Sequence, residues 1–304
     1  MKWILLLLLI ACGRPDAHSR SPVENNALQV EAKRVAALSP TCDDMPIANG
    51  NNGVTGRVDC DSGDSMLWTG LLYSAWPQTK LANAIKASID DDGRPFRSPE
   101  HRKGRDDSNA FSRDMYMGFL YYCHASKDLA TCSKVLAFAR RNDYQLCTNA
   151  SDTRCLITPS MMYLTGAVWK GNGWDVGGEY VANSFERAVD EQLTLREAKD
   201  NKLGYRTHLV SLKVFLYYKL GNVGDYRIAA KKLHEREPSN LWYQNVAWSV
   251  GMIPQNDSAI LIEMMKNYSS NRVPRNWFWQ GAENAMGQDL VFLACVMSSG
   301  CTGD

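Results

Sequence analysis

Two kinds of segment alternate along the chain. One kind is apolar and aromatic on nearly every side: Asp64–Trp76, Ser112–His124, Pro159–Lys170, Arg206–Leu220, Leu241–Met252 and Glu283–Met297. The other sets an apolar stripe on a charged surface: Asn26–Leu38, Lys80–Ile89, Lys127–Arg141, Val181–Ala198, Asp225–Glu237 and Asp257–Tyr268. Alternating β-branched runs are nearly absent, so the pattern predicts helices throughout. A helix that is apolar all round belongs inside a fold, and one with a polar face belongs outside it. Six inner and six outer helices are therefore expected.

The apolar segments start 48, 47, 47, 35 and 42 residues apart, a repeat of supersecondary size. This pattern resembles the (α/α)6 toroid, the six-hairpin barrel used by many glycoside hydrolases and some polysaccharide lyases. The resemblance implies an all-α toroid of alternating inner and outer helices over about residues 24–298. It rests on architecture, with no family-specific motif beside it. A solenoid of tetratricopeptide type competes, but its period of about 34 residues fits less well. The expected plan is a signal segment at 1–11, a polar tether at 12–23 and a single helical domain at 24–304.

The amino-terminal run Trp3–Ala11 follows Met1-Lys2. It falls short of the roughly 20 residues that span a bilayer and has the charged start and apolar stretch of a secretory signal. Leu9-Ile10-Ala11-Cys12 resembles the bacterial lipobox. That resemblance implies cleavage before Cys12 and a lipid on its thiol, making the membrane a partner. Gly13 follows where Asp would imply inner-membrane retention, so an outer-membrane lipoprotein facing periplasm or cell surface is expected.

An exported chain meets an oxidising compartment, and eight cysteines remain: Cys42, Cys60, Cys123, Cys132, Cys147, Cys155, Cys295 and Cys301. An even count predicts disulfides. Pairing sequence neighbours gives Cys42–Cys60, Cys123–Cys132, Cys147–Cys155 and Cys295–Cys301. None of these spacings is a close zinc pair, and the five histidines form no H-E-x-x-H, so no metal is expected. Phosphate-loop and nucleophile-elbow motifs are missing, and no cofactor is expected. Lys and Arg number 34 against 33 Asp and Glu. That balance lacks the basic excess of a nucleic-acid binder.

The most polar loops fall just before apolar helices. Asp59–Ser65 precedes the first and His101–Asp114 the second. In a toroid, the starts of the inner helices converge on one mouth, each bringing the positive end of its dipole. Asp64 and Asp114 are the candidate catalytic pair, because glycoside hydrolysis needs one carboxyl protonated and one ionised. Asp is also a favoured helix cap, so each alone reads as a cap. Asp61, Asp106 and Asp107 are substitutes.

Arg113 offers a planar fork for an acidic sugar. The preceding loop is made cationic by Arg94, Arg97, Arg102, Lys103 and Arg105. Tyr205, Arg206 and His208 have the makings of a lyase: base, acid and charge neutraliser. Trp242, Trp279 and Gln280 stand before inner helices, where flat rings stack on sugars and amides bond their hydroxyls. Asp61 and His208 join them as candidate ligand contacts. The expected function is glycoside hydrolysis of a polysaccharide or peptidoglycan-type glycan. The alternatives are a lyase using Tyr205, Arg206 and His208, or a non-catalytic lipoprotein that binds glycan or protein.

Overall fold

The computed structural model describes residues 20–39, 41–42, 44–46, 64–104, 111–147, 155–199, 204–254, 256–268 and 287–302. Nearly all of the regular structure in these residues is helical. The apolar segments become α2 (Ser65–Ala75), α5 (Arg113–Ser126), α7 (Pro159–Gly171), α9 (Tyr205–Lys219), α11 (Leu241–Ser249) and α13 (Gly287–Met297). The amphipathic ones become α1 (Pro22–Leu38), α3 (Thr79–Ala87), α6 (Leu129–Arg141), α8 (Ser184–Ala198), α10 (Tyr226–Arg236) and α12 (Ser258–Lys266). A short α4 (Pro99–Gly104) was not foreseen. A two-residue antiparallel ladder sets β1 (Thr41–Cys42) against β2 (Met45–Pro46).

Burial follows the two patterns. Every residue of α5 from Asp114 to Cys123 is buried, and α2 is buried from Ser65 to Leu72. By contrast α6 buries Cys132, Val135, Leu136 and Ala139, a single stripe at helical spacing. Side chains mark the starts of several amphipathic helices. Ser21 and Asn183 form capping boxes with Glu24 and Glu186, while Asp128 and Asp257 accept from backbone N–H groups of the first turn. Each such cap contributes about 0.5–2 kcal/mol.

The apolar helices touch in sequence order. α2 packs on α5, α5 on α7, α7 on α9, α9 on α11, α11 on α13 and α13 on α2, and α5 also packs directly on α9. Aromatic side chains fill the space between them. Tyr121 and Trp242 each contact both Phe215 and Phe292, with ring centroids 5.1–6.4 Å apart. The α2–α5 seam is the tightest. A Cβ on Gly70 would fall 1.9 Å from the Gly118 carbonyl oxygen, and one on Gly118 would fall 2.4 Å from Leu67 Cα. Two glycines thus let backbone meet backbone. Tyr73 and Tyr122, near the helix ends, sit 5.1 Å apart, so α2 and α5 run parallel.

Three of the expected disulfides form: Cys123–Cys132, Cys147–Cys155 and Cys295–Cys301. Cys60, and with it the fourth pair, lies outside the described residues, as do Cys12, the signal segment and most of the tether. The tether boundary needs correcting. Ser21 caps α1 and Pro22 occupies its first turn, where proline is preorganised for a helix. Arg20 donates to the Met297 carbonyl and to Asn256 and lies 4.6 Å over Trp248. Residues 20–23 therefore belong to the helical body. Among the described residues, no helix is long and apolar enough to cross a membrane.

Candidate acid–base site

The parallel seam brings the starts of α2 and α5 together, and with them Asp64 and Asp114. Asp114 lies in the first turn of α5. Its Oδ1 accepts from the Met115 N–H at 3.1 Å and from the Ser112 hydroxyl. Asp64 occupies the cap position of α2 but makes no capping hydrogen bond. Its Oδ1 instead lies 4.0 Å from Arg97 Nη1. Arg97 acts electrostatically on both carboxyls.

Burial pushes the Asp64 carboxyl well above the ordinary carboxylate range, and the neighbouring Asp114 charge pushes it further, against the pull of Arg97. Burial also raises Asp114, but the Ser112 hydroxyl and the N–H groups of Met115 and Asp114 itself oppose the rise. Hydrogen-bond donors are thus aimed at Asp114, where they stabilise its charge. Two like charges in one desolvated place favour a state with a single proton. The hydrogen bonds to Asp114 favour leaving the charge there. Asp64 keeps 19% of its side-chain surface accessible, while Asp114 is buried.

Asp128 shows what an ordinary cap looks like in this molecule. It accepts from the Thr131 N–H at 3.1 Å and the Thr131 hydroxyl at 2.8 Å, and Lys86 lies 3.0 Å away. Burial works upward here too, yet the Lys86 and Thr131 hydrogen bonds hold its carboxyl at about 2.

The other sequence candidates fare differently. Arg113 is half-buried beside Asp114. Asp61, Trp279 and Gln280 lie outside the described residues. His208 must be corrected: it is wholly enclosed, and burial drives its imidazole down to about 3, so it is neutral. Arg206, two residues earlier, is exposed. Arg206 and His208 of the lyase set therefore share no common surface, because residues two apart on a helix point in different directions. Trp242 must be corrected as well. It is buried between Phe215 and Phe292, and its indole N–H donates to Ser211 Oγ at 2.8 Å. No face of the ring is left for a sugar.

The cationic loop is partly spent on structure. Arg102 donates to the Ala87 and Ile89 carbonyls at 3.1 and 2.9 Å, closing the end of α3, and Arg94 lies 4.7 Å over Phe96. Arg97, expected only as one of the loop cations, and Ser112 are the side chains that reach the carboxyls. A third acid at the start of an apolar helix also went unnoticed. Asp289 is buried in the first turn of α13, its Oδ1 accepting from the Leu290 N–H at 2.8 Å. The signal was available, since Gly287-Gln288-Asp289 repeats the pattern of an acid entering an apolar helix.

A second buried ionic cluster lies on another seam. Lys213 Nζ reaches Asp190 Oδ2 at 2.7 Å, Ser160 Oγ at 2.6 Å and Thr194 Oγ1 at 2.8 Å. The Tyr226 hydroxyl donates to Asp190, and the Tyr226 ring stacks on Tyr217 at 4.5 Å. An open groove of about 1080 Å³ lies outside α3, lined by residues including Asp44, Asp90, Asp92, Arg94 and Arg102, and it contains neither Asp64 nor Asp114. Among the described residues, no group of three or more His, Cys, Asp or Glu side chains is placed to hold a metal ion. Compared with protein-family profiles, curated proteins and solved structures, the chain finds no match.

Proposed function

We propose that this chain is a lipid-anchored, carbohydrate-active enzyme and, more particularly, a glycoside hydrolase built on an (α/α)6 toroid. The observation that carries the reading is the Asp64–Asp114 pair: two neighbouring carboxyls at parallel helix starts, Asp64 partly accessible and without a capping bond, Asp114 buried and supplied with donors. In this reading Asp64 gives its proton to the glycosidic oxygen as the bond to the anomeric carbon breaks. Asp114 then serves as base for water or as nucleophile, and the anomeric configuration of the product decides which. Arg97 steadies the ionised partner.

The toroid reading is supported by the order of contacts among α2, α5, α7, α9, α11 and α13, which returns to its beginning. The anchor reading is supported by Leu9-Ile10-Ala11-Cys12 alone. It puts the protein at the outer membrane, facing the periplasm or the cell surface, with a glycan as substrate.

The experiment is a panel of polysaccharides and peptidoglycan, incubated with wild type beside Asp64→Asn and Asp114→Asn. New reducing ends from wild type, lost in both variants, are the expected result. Unsaturated products absorbing in the ultraviolet would replace hydrolysis by elimination. Binding without cleavage would leave a glycan-binding lipoprotein. Fractionation tests the anchor separately: Cys12→Ser should abolish lipidation, and an unlipidated wild type would remove the membrane from the reading.

A further inference from the structure

The six apolar helices stop at one end of the fold, remote from Asp64 and Asp114. The Ala75 carbonyl at the end of α2 accepts from the Cys301 N–H at 3.1 Å, just past α13, and Asn172 beyond α7 donates to the Cys123 carbonyl of α5 at 2.8 Å. Gly171 and Leu220 bring the ends of α7 and α9 together, and Trp248 near the end of α11 lies under Arg20. The amphipathic helices start at that same end. Ser258 of α12 donates to Glu24 of α1 at 3.2 Å, Arg187 of α8 to Asn222 in the α9–α10 turn at 2.7 Å, and Tyr122 of α5 to the α6 cap Asp128 at 2.9 Å.

Exposed apolar side chains mark these starts. Val23 on α1, Leu129 on α6, Phe185 on α8, Ile228 on α10 and Ile260 on α12 each stand among the first three residues of their helix and are 39–78% exposed. Helical side chains lean toward the helix start, so these five project over the end of the fold. The other large exposed apolar residues among those described, Val30, Leu38, Val181, Val189 and Leu193, lie along or just before α1 and α8. Lys80, Lys127, Lys170, Lys219 and Arg227 are exposed around the same end, while Lys86 pairs with Asp128 and Arg187 with Glu191. Its acids are mostly spent. Glu24, Asp128, Glu186 and Asp257 accept from backbone N–H groups at helix starts, and Asp175 and Asp225 remain exposed.

We propose that this end is a membrane-docking face, which rests on the lipid-anchor reading of Cys12: its apolar side chains enter the headgroup layer of an anionic bilayer, its cations meet the phosphates, and the Asp64–Asp114 site points away. The place where the chain enters the fold selects a bilayer as the occupant. Arg20, tied to Met297 and Asn256 and laid over Trp248, fixes the start of the helical body at this end. The eight residues from Cys12 to Arg20 reach at most about 28 Å, so a lipid on Cys12 holds this end close to the bilayer. Separate apolar side chains, one to a helix, with lysines around them suit such an interface. Apolar groups sink a short way into it, and long cations reach the headgroups.

The test uses the full chain in vesicles of phosphatidylethanolamine and phosphatidylglycerol, with a headgroup nitroxide lipid as quencher. Phe185→Cys carries an environment-sensitive fluorophore on the docking face. Leu38→Cys carries it at the far end of α1, where the next residue, Ser39, lies against Gly287 at the start of α13. Both positions are exposed, wild type labelled in the same way sets the background, and thermal unfolding checks that each variant is folded. Emission at position 185 should shift to the blue and be quenched several-fold more than at position 38. Adding Lys170→Glu with Lys219→Glu should remove most of that quenching while the protein still floats with the vesicles. Mass spectrometry for a lipid on Cys12 separates the two readings, since an unlipidated wild type overturns the anchor and the docking together. With the lipid present, docking alone is overturned by no quenching at 185, by equal quenching at 38, or by quenching indifferent to the two charge reversals. A blue shift before vesicles are added would overturn it too, by putting a second copy on the face.

Discussion

The molecule buries ionisable groups in two places, and they are built in opposite ways. At Asp190–Lys213 unlike charges meet, and hydroxyls of Ser160, Thr194 and Tyr226 complete the bonding. At Asp64–Asp114 like charges meet, with Arg97 at the limit of ion-pair distance and burial working against ionisation. The first cluster ties α7, α8, α9 and α10 together, and although burial lowers the Lys213 ammonium, Asp190 opposes that shift as a direct ion-pair and hydrogen-bond partner. The second sets two carboxyls side by side at the starts of two helices, where the helix dipoles also favour an acid.

The largest expected effect breaks that comparison if it is wrong. Asp114→Asn should lower turnover by about 10²–10⁴-fold, the usual contribution of an acid or base, while the protein stays folded. Steady-state rates on the responsive glycan, with circular dichroism alongside, measure both. Near-full activity in a folded variant would reduce the pair to packing.

Lys213→Ala should do the reverse. Removing one partner leaves Asp190 buried and uncompensated, at about 3–5 kcal/mol of stability. Denaturant unfolding reads the loss, and turnover per folded molecule should be unchanged. Replacing both at once, as Asp190→Leu with Lys213→Met, should recover most of it, because an apolar pair of similar volume removes both charges.

Gly118→Ala probes the seam that holds the carboxyls together. The new methyl would lie 2.4 Å from Leu67 Cα, and such overpacking costs about 1–3 kcal/mol. Because the backbone of α2 must yield, turnover should fall as well. Gly178→Ala, whose Cβ meets nothing within 4 Å, should change neither.

The smallest effect is the response to pH, and it differs in sign between two aspartates. Folded Asp64 holds its proton more tightly than the unfolded chain does. As pH rises above the ordinary carboxylate value of about 4, the native state gives up stability. Asp64→Asn should therefore raise the melting temperature at pH 7 and leave it unchanged near pH 3. Asp128 is held at about 2, so its contribution is in place above about pH 4 and fades as pH falls toward 2. Asp128→Asn should lower the melting temperature at pH 7, with the gap closing in acid. Melting curves across pH for the two variants give the answer.

Much of this was legible in the chain. Each of the twelve expected segments contains its observed helix to within a few residues at either end, because helical periodicity and all-round apolarity are local properties of sequence. The three observed disulfides are near neighbours in the chain, so short spacing was enough to find them. Asp64 and Asp114 stood out because polar loops run directly into the starts of apolar helices there. What stayed hidden was direction. Trp242 and His208 lie on helices that face the interior, and only the packing of neighbours decides that their side chains point inward to Phe215, Phe292 and the core rather than to a ligand.

The sequence by itself determined which segments are helical, which of them are apolar all round and which carry a polar face, and which cysteines are close enough to join. Those are set by terms acting within about one helical turn: periodicity, capping and loop length. The tertiary structure decided that Asp64 and Asp114, fifty residues apart in number, share one desolvated place, and that Asp64 forgoes its cap to do so. It also decided that Lys213 finds Asp190. Such pairings follow from Gly70 and Gly118 letting two backbones touch and from the whole set of helices packing at once. Coulomb energy between side chains depends on distance in space, which separation along the chain does not fix.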